Sequence, residues 1–244
     1  MDLQVFDGYS AMCQAISDEI CAQLRKNPEM LLCIAAGHTS LGLFDALRAA
    51  YEGGTADFSR ASFVAMDEWL NMSDRTPDSC GDFLRKNFLQ YVNFAPERTR
   101  LFDGQTGSHR QECQAVEDFI REHSHTGHID YLVLGSGMNG HLALNEPGTS
   151  FDARAHVSVL DPVTQNVGQK YFSEQASLTG GITLGIANFR EAERTVLMVN
   201  GSHKSTILER IVNAPISESI PATALRSFRN ASLYCDRDAA ALLK

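Results

Sequence analysis

The chain has 244 residues, 43% of them hydrophobic and 21% charged, with a formal net charge of −9. That composition suits a globular protein with a sizeable core, and the acidic balance argues against nucleic acid or an anionic membrane as a general partner. No apolar run reaches the ~20 residues that span a bilayer, no signal peptide opens the chain, and six scattered cysteines without a C-x-x-C pair fit reduced thiols in a cytoplasmic protein.

With no glycine- or proline-rich linker, one domain over residues 1–244 is the simplest organisation. Tyr9 to Lys26 carries Met12, Ala15, Ile16, Ile20 and Leu24 at helical spacing, which predicts a helix with one buried face. Met30 to Ala36 is a continuous apolar run and predicts a buried parallel strand. Leu41 to Tyr51 reads as a helix and Ala61 to Met66 as a strand. Helices are expected at Phe83–Tyr91 and Glu112–Glu122, then strands at Ile129–Leu134, Ile182–Leu184 and Thr195–Val199. A helix over His203–Val212, a strand over Ala231–Cys235 and a helix over Arg237–Leu243 complete the chain. This alternation predicts an α/β fold, a mostly parallel sheet with helices on both faces.

Residues with chemistry gather where these strands end. The stretch from Asp130 to Ser150 runs from a strand into Gly135, Gly137 and Gly140, followed by Asn139, His141, Asn145 and Glu146 as a polar cluster. Open α/β sheets hold ligands at such carboxyl ends. The pattern Gly135-x-Gly137-x-x-Gly140 matches a dinucleotide fingerprint, but that reading requires a helix starting inside it. Pro147 follows too soon for one. Gly37-His38-Thr39-Ser40 leads from a strand into a helix, where amides and hydroxyls suit either an anion or a simple cap. Asp67 and Glu68 end the next strand, and alternation sends them to opposite faces, so Glu68 has at most a supporting role. Gly201-Ser202-His203-Lys204 opens a helix after a strand and offers Lys204 as a second anion contact. No three of the eight histidines share metal-ligand spacing, and His109, His123 and His125 read as solvated surface.

Asn139-Gly140-His141-x-x-x-Asn145-Glu146-Pro147-Gly148 resembles the signature of the glucosamine/galactosamine-6-phosphate isomerase (deaminating) family, which is related to the 6-phosphogluconolactonases. The resemblance extends over nearly the whole chain through Ala35 to Ser40, Met66 to Trp69, Gly181 to Gly185 and Gly201 to Lys204. It implies a Rossmann-like open sandwich that converts a 2-amino-2-deoxyhexose 6-phosphate to a ketose 6-phosphate and ammonia, with no cofactor and no metal. By the same resemblance Asp67 is the base at C2, His141 assists ring opening, Glu146 holds the His141 tautomer and Asn139 orients it. Gly37, His38, Thr39, Ser40, Lys170 and Lys204 are the expected phosphate-binding residues. The stretch from Arg75 to Phe83 fits a loop covering the site, and Thr149 to Arg154 are expected to continue its wall.

The chain departs from the family in places. His38-Thr39-Ser40 stands where relatives usually carry Gly-Thr-Pro, Lys170 where they often carry Arg, and His156 and Ser158 where allosteric members have basic residues. Trp69, the Pro77-x-Ser79-Cys80 stretch and the missing activator residues lean toward the galactosamine branch. A 6-phosphogluconolactonase-like hydrolase is the alternative, opposed by Asn145-Glu146-Pro147. A non-catalytic sugar-phosphate sensor is opposed by the absence of a leading DNA-binding segment and by the joint presence of Asp67, His141 and Glu146. A small sugar phosphate is the expected partner, with homo-oligomerisation left open.

Overall fold

The computed structural model describes residues 1–243. Strands β1 (Asp2–Phe6), β2 (Leu31–Ile34), β3 (Ser62–Val64), β4 (Asp67–Trp69), β5 (Thr99–Arg100), β6 (Tyr131–Gly135), β7 (His156–Val159), β8 (Gly180–Thr183), β9 (Thr195–Val199) and β10 (Ala231–Asp236) alternate with helices. These are α1 (Tyr9–Lys26), α2 (Leu41–Glu52), α3 (Cys80–Asn87), α4 (His109–His123), α5 (Pro162–Gly168), α6 (Ile186–Glu191) and α7 (Ser205–Asn213). Seven strands form one sheet in the order β1-β10-β9-β6-β2-β3-β5, with every pairing parallel. No helix among the described residues is long and apolar enough to cross a membrane.

Covering both faces of a sheet requires strands that are apolar on both sides. β2 meets that demand: Leu32 and Ile34 join the core beneath α1, α2 and α3, while Leu31 and Cys33 join the core beneath α4, α6 and α7. The helical period of α1 puts Met12, Ile16, Ile20 and Leu24 into the first core. Burying each such side chain contributes roughly 1.5–3 kcal/mol.

The chain leaves β2 toward β3 and β5 on one side, and leaves β6 toward β9 and β10 on the other. The loops after β2 and β6 therefore diverge, which opens a crevice at the carboxyl ends of the strands.

Three expectations need correction. Ile182 and Thr183 are not in the parallel sheet: β8 lies in a separate antiparallel sheet of order β4-β8-β7, with Asp67 opposite Thr183. Strands of three and four residues are too short to show their pairing in a sequence pattern. The helix expected at Arg237–Leu243 is a 3₁₀ turn over Ala239–Leu242, held where the Asp236 carboxylate accepts the Ala239 N–H at 2.8 Å. The helix expected at Phe83–Tyr91 begins earlier, at Cys80, and breaks after Asn87 into a 3₁₀ turn over Leu89–Tyr91.

Candidate active site

A cavity of about 410 Å³ lies in that crevice. Its walls come from four strand ends: Ala35 to Ser40 after β2, Asp67 just beyond β3, Ser136 to Met138 with His141 after β6, and Asn200, His203 and Lys204 after β9. Helix α5 and the turn after it close another side with Thr164, Lys170 and Tyr171. Of the residues expected from the sequence, Gly37, His38, Thr39, Ser40, Asp67, His141, Lys170 and Lys204 line this one cavity. Asn139 and Glu146 stand behind His141 rather than in the wall. The expected continuation of the wall at Thr149–Arg154 is not found there. Arg154 is instead engaged with Glu191 and Glu117 and lines a separate cavity beside α4.

Asp67 is 9% exposed. Burial, and then the neighbouring Glu68 carboxylate, push its carboxyl up to about 7, while a hydrogen bond from the Cys80 thiol pulls the other way. That sets an acid able to take or give a proton near neutrality. Glu68 turns away from the cavity and accepts backbone N–H groups from Trp69, Cys80 and Gly81.

The glycine-rich stretch does not open a helix. Gly137 N–H donates to the His141 carbonyl at 3.1 Å, Ser136 bridges Leu142, and the Asn145 amide donates to the Leu142 and Leu184 carbonyls. The chain thus doubles back, and the doubling back projects His141 into the cavity. Gly140 has φ 87°, a left-handed conformation that favours glycine, and a methyl there would meet Ile220. At Gly137 the backbone passes so close to the His141 imidazole that a methyl would collide with it.

His141 Nδ1 lies 3.0 Å from Thr164 Oγ1 and 3.5 Å from Glu146 Oε2. Both partners lie at Nδ1, so Nε2 is the nitrogen left for a ligand. Asn139 accepts the His141 backbone N–H at 3.1 Å and donates to Glu146 Oε2 at 2.8 Å, which makes it an orienter. Burial alone would raise the Glu146 carboxyl, but hydrogen bonds from His141, Thr164 and Asn139 outweigh it and hold the group below its ordinary value.

Thr164 was invisible to spacing, lying 23 residues beyond His141. Its helix had a local signal: Asp161 accepts the Val163 N–H at 2.8 Å as a cap, with Pro162 in the first helical position.

The same cavity carries two cations, Lys170 and Lys204. Lys204 Nζ donates to the Ser136 carbonyl. Burial, and then the Lys170 charge, pull the Lys204 ammonium down to about 8. Lys170 is exposed and sits 5.0 Å over the Tyr171 ring. His38 packs on the same ring with centroids 4.9 Å apart and also meets Phe83 of α3. Its imidazole is held below the usual range by burial and then by Lys170. The 3₁₀ turn His38–Ser40 runs directly into α2; the Ser40 N–H donates to the Gly37 carbonyl at 2.9 Å, and the His38 and Thr39 N–H groups open the turn without helical partners. The three histidines expected at the surface differ in detail: His109 begins α4 and lies near the Gly104 carbonyl, and His123 stacks on Phe119 at 3.9 Å, while His125 is exposed. Among the described residues no group of three His, Cys, Asp or Glu side chains is arranged to hold a metal ion.

Comparison with known proteins bears on the fold and the family. A glucosamine-6-phosphate deaminase from Alkaliphilus metalliredigens (strain QYMF) is 30% identical over the full length of both chains. One from Halothermothrix orenii is likewise 30% identical over the full length of both. The solved structure of a monomeric glucosamine-6-phosphate deaminase, 28% identical, matches with a TM-score of 0.94 over 99% of this chain and 100% of that one. A 6-phosphogluconolactonase from Trypanosoma brucei shares the fold, with a TM-score of 0.76 at 16% identity over 100% of this chain and 98% of that one. The family model described as glucosamine-6-phosphate isomerases/6-phosphogluconolactonase matches residues 7–234, and the chain belongs to that family.

Proposed function

We propose that the protein converts a 2-amino-2-deoxyhexose 6-phosphate and water to a ketohexose 6-phosphate and ammonia. The observation that carries this reading is one cavity lined together by Asp67, whose carboxyl titrates up to about 7, by the oriented His141 and by the half-buried ammonium of Lys204. Lys204, Lys170 and the N–H groups of His38 and Thr39, with the Thr39 and Ser40 hydroxyls, would hold the phosphate. His141 Nε2 would pass the C1–OH proton to the ring oxygen, which yields the open aldehyde. Asp67 would then take the C2 proton while His141 gives one to O1, leaving an enolamine, and Asp67 would return its proton to C1. The resulting C2 iminium adds water and expels ammonia, the proton released going back to His141, so atoms and protons balance. Thr164, Glu146 and Asn139 keep His141 in the tautomer that this sequence needs.

Lactone hydrolysis is the second reading, since the family includes it. It gives no use to a base at Asp67 or to the carboxylate behind His141. For the C4 epimer, glucosamine 6-phosphate is supported by the names of the two relatives, and galactosamine 6-phosphate by Trp69 and the stretch through Cys80. Ammonia release from each amino sugar phosphate, with 6-phosphogluconolactone beside them, tests both the class and the epimer.

A further inference from the structure

Glu68 is completely buried, and its side chain does not line the cavity. A buried carboxylate is unfavourable unless its oxygens are hydrogen bonded. Here Oε1 accepts the N–H of Trp69 at 2.8 Å and of Cys80 at 3.0 Å, and Oε2 accepts the N–H of Gly81 at 2.9 Å. Cys80 and Gly81 are the first two residues of α3, whose opening N–H groups have no partner within the helix. The cap residue Ser79 serves only the next donor, the Asp82 N–H, at 3.0 Å. One carboxylate therefore joins the strand that carries Asp67 to the helix that carries Cys80, and both of those residues face the cavity.

The charge has no cation against it: among the described residues no salt bridge includes Glu68. The titratable groups facing Asp67 are Glu68 on its own strand, the Cys80 thiol on α3, the Cys33 thiol on β2 and the Tyr171 hydroxyl beyond α5. None of them is a cation.

We propose that Glu68 is a positioning residue for Asp67: it locks the start of α3 onto β4, fixes the wall in which the base sits, and keeps a second negative charge beside it. The inference rests on the reading of Asp67 as the base. Glu68→Gln keeps the shape but removes the charge, and its amide turns a donor toward the Gly81 N–H. Glu68→Asp keeps the charge but withdraws it by one methylene from the three N–H groups.

The test is a carbon-13 carboxyl NMR titration of the intact protein without substrate, with the Asp67 resonance assigned by its loss in Asp67→Asn. Removing a like charge favours ionisation, so the Asp67 midpoint in Glu68→Gln is expected to fall by roughly one unit from wild type. In Glu68→Asp it stays near the wild-type value. Turnover of the amino sugar phosphate should drop about tenfold or more in both variants, with the substrate constant little changed because the phosphate end is untouched. A merely structural role would lower the melting temperature and leave the midpoint where it was. An unmoved midpoint in Glu68→Gln, or wild-type turnover in either variant, overturns the proposal. If Glu68→Gln does not fold, Glu68→Asp decides through turnover measured below its melting temperature: a tenfold or greater loss with the substrate constant little changed supports the proposal, and wild-type turnover overturns it. Absence of ammonia release by the wild type would instead overturn the function reading, while the titration would still judge Glu68.

Discussion

Asp67 and Lys204 share a cavity that moves both toward their neutral forms, one up to about 7 and the other down to about 8. For Asp67 this is useful, because a base works best with a pKa near the operating pH. Asp67→Asn should cut isomerisation by ~10²–10⁴-fold and abolish exchange of the C2 proton with solvent, while phosphate-dependent binding persists. In the wild type, kcat/KM should rise with pH through about 7 as Asp67 ionises. For Lys204, in the proposed function, the substrate's phosphate would supply the missing counter-charge. Lys204→Ala should therefore raise KM more than it lowers kcat, by about 1.5–3 kcal/mol of binding. An unchanged KM would remove Lys204 from the phosphate site. Thr164→Val removes the nearest partner of His141 Nδ1 and should slow turnover about tenfold, in a manner not additive with Glu146→Gln. Asp67, His141 and Lys204 were legible because each follows a strand in an ordered motif. Thr164 was not, because only folding brings α5 onto the loop after β6.

At the scale of elements, the geometry of His141 depends on a backbone that doubles back rather than on any one side chain. Gly137→Ala should displace the imidazole and lower kcat strongly, and a crystal structure of the variant should show the ring moved. The long elements were readable: α1 spans Tyr9–Lys26 as its apolar spacing predicts, and β9 spans Thr195–Val199. The small sheet that presents Asp67 was not. β4 has three residues, and its partner β8 was read as part of the parallel sheet. β1, which is mostly exposed, and β5, only two residues long, likewise lack the buried run that marks a strand.

For the whole molecule, the site's chemistry carries a cost in stability that pH can reveal. The folded Asp67 binds its proton up to about 7, well above its ordinary value of 3.8, so the folded state holds more protons than the unfolded state between those values. Stability from this group therefore falls as pH rises through that window, and the loss is complete above about 7. Asp67→Asn should raise the melting temperature at pH 8 more than at pH 4, the difference corresponding to a few kcal/mol in order of magnitude. Equal shifts at both pH values would show that Asp67 is not buried against its charge. Deaminating isomerisation is checked by measuring ammonia and ketohexose 6-phosphate together. Glucosamine 6-phosphate, galactosamine 6-phosphate and 6-phosphogluconolactone are supplied separately. The predicted result is equal amounts of ammonia and ketose from at least one amino sugar phosphate, with the lactone hydrolysed no faster than its background rate. Rapid hydrolysis of the lactone with no ammonia from either amino sugar would contradict it.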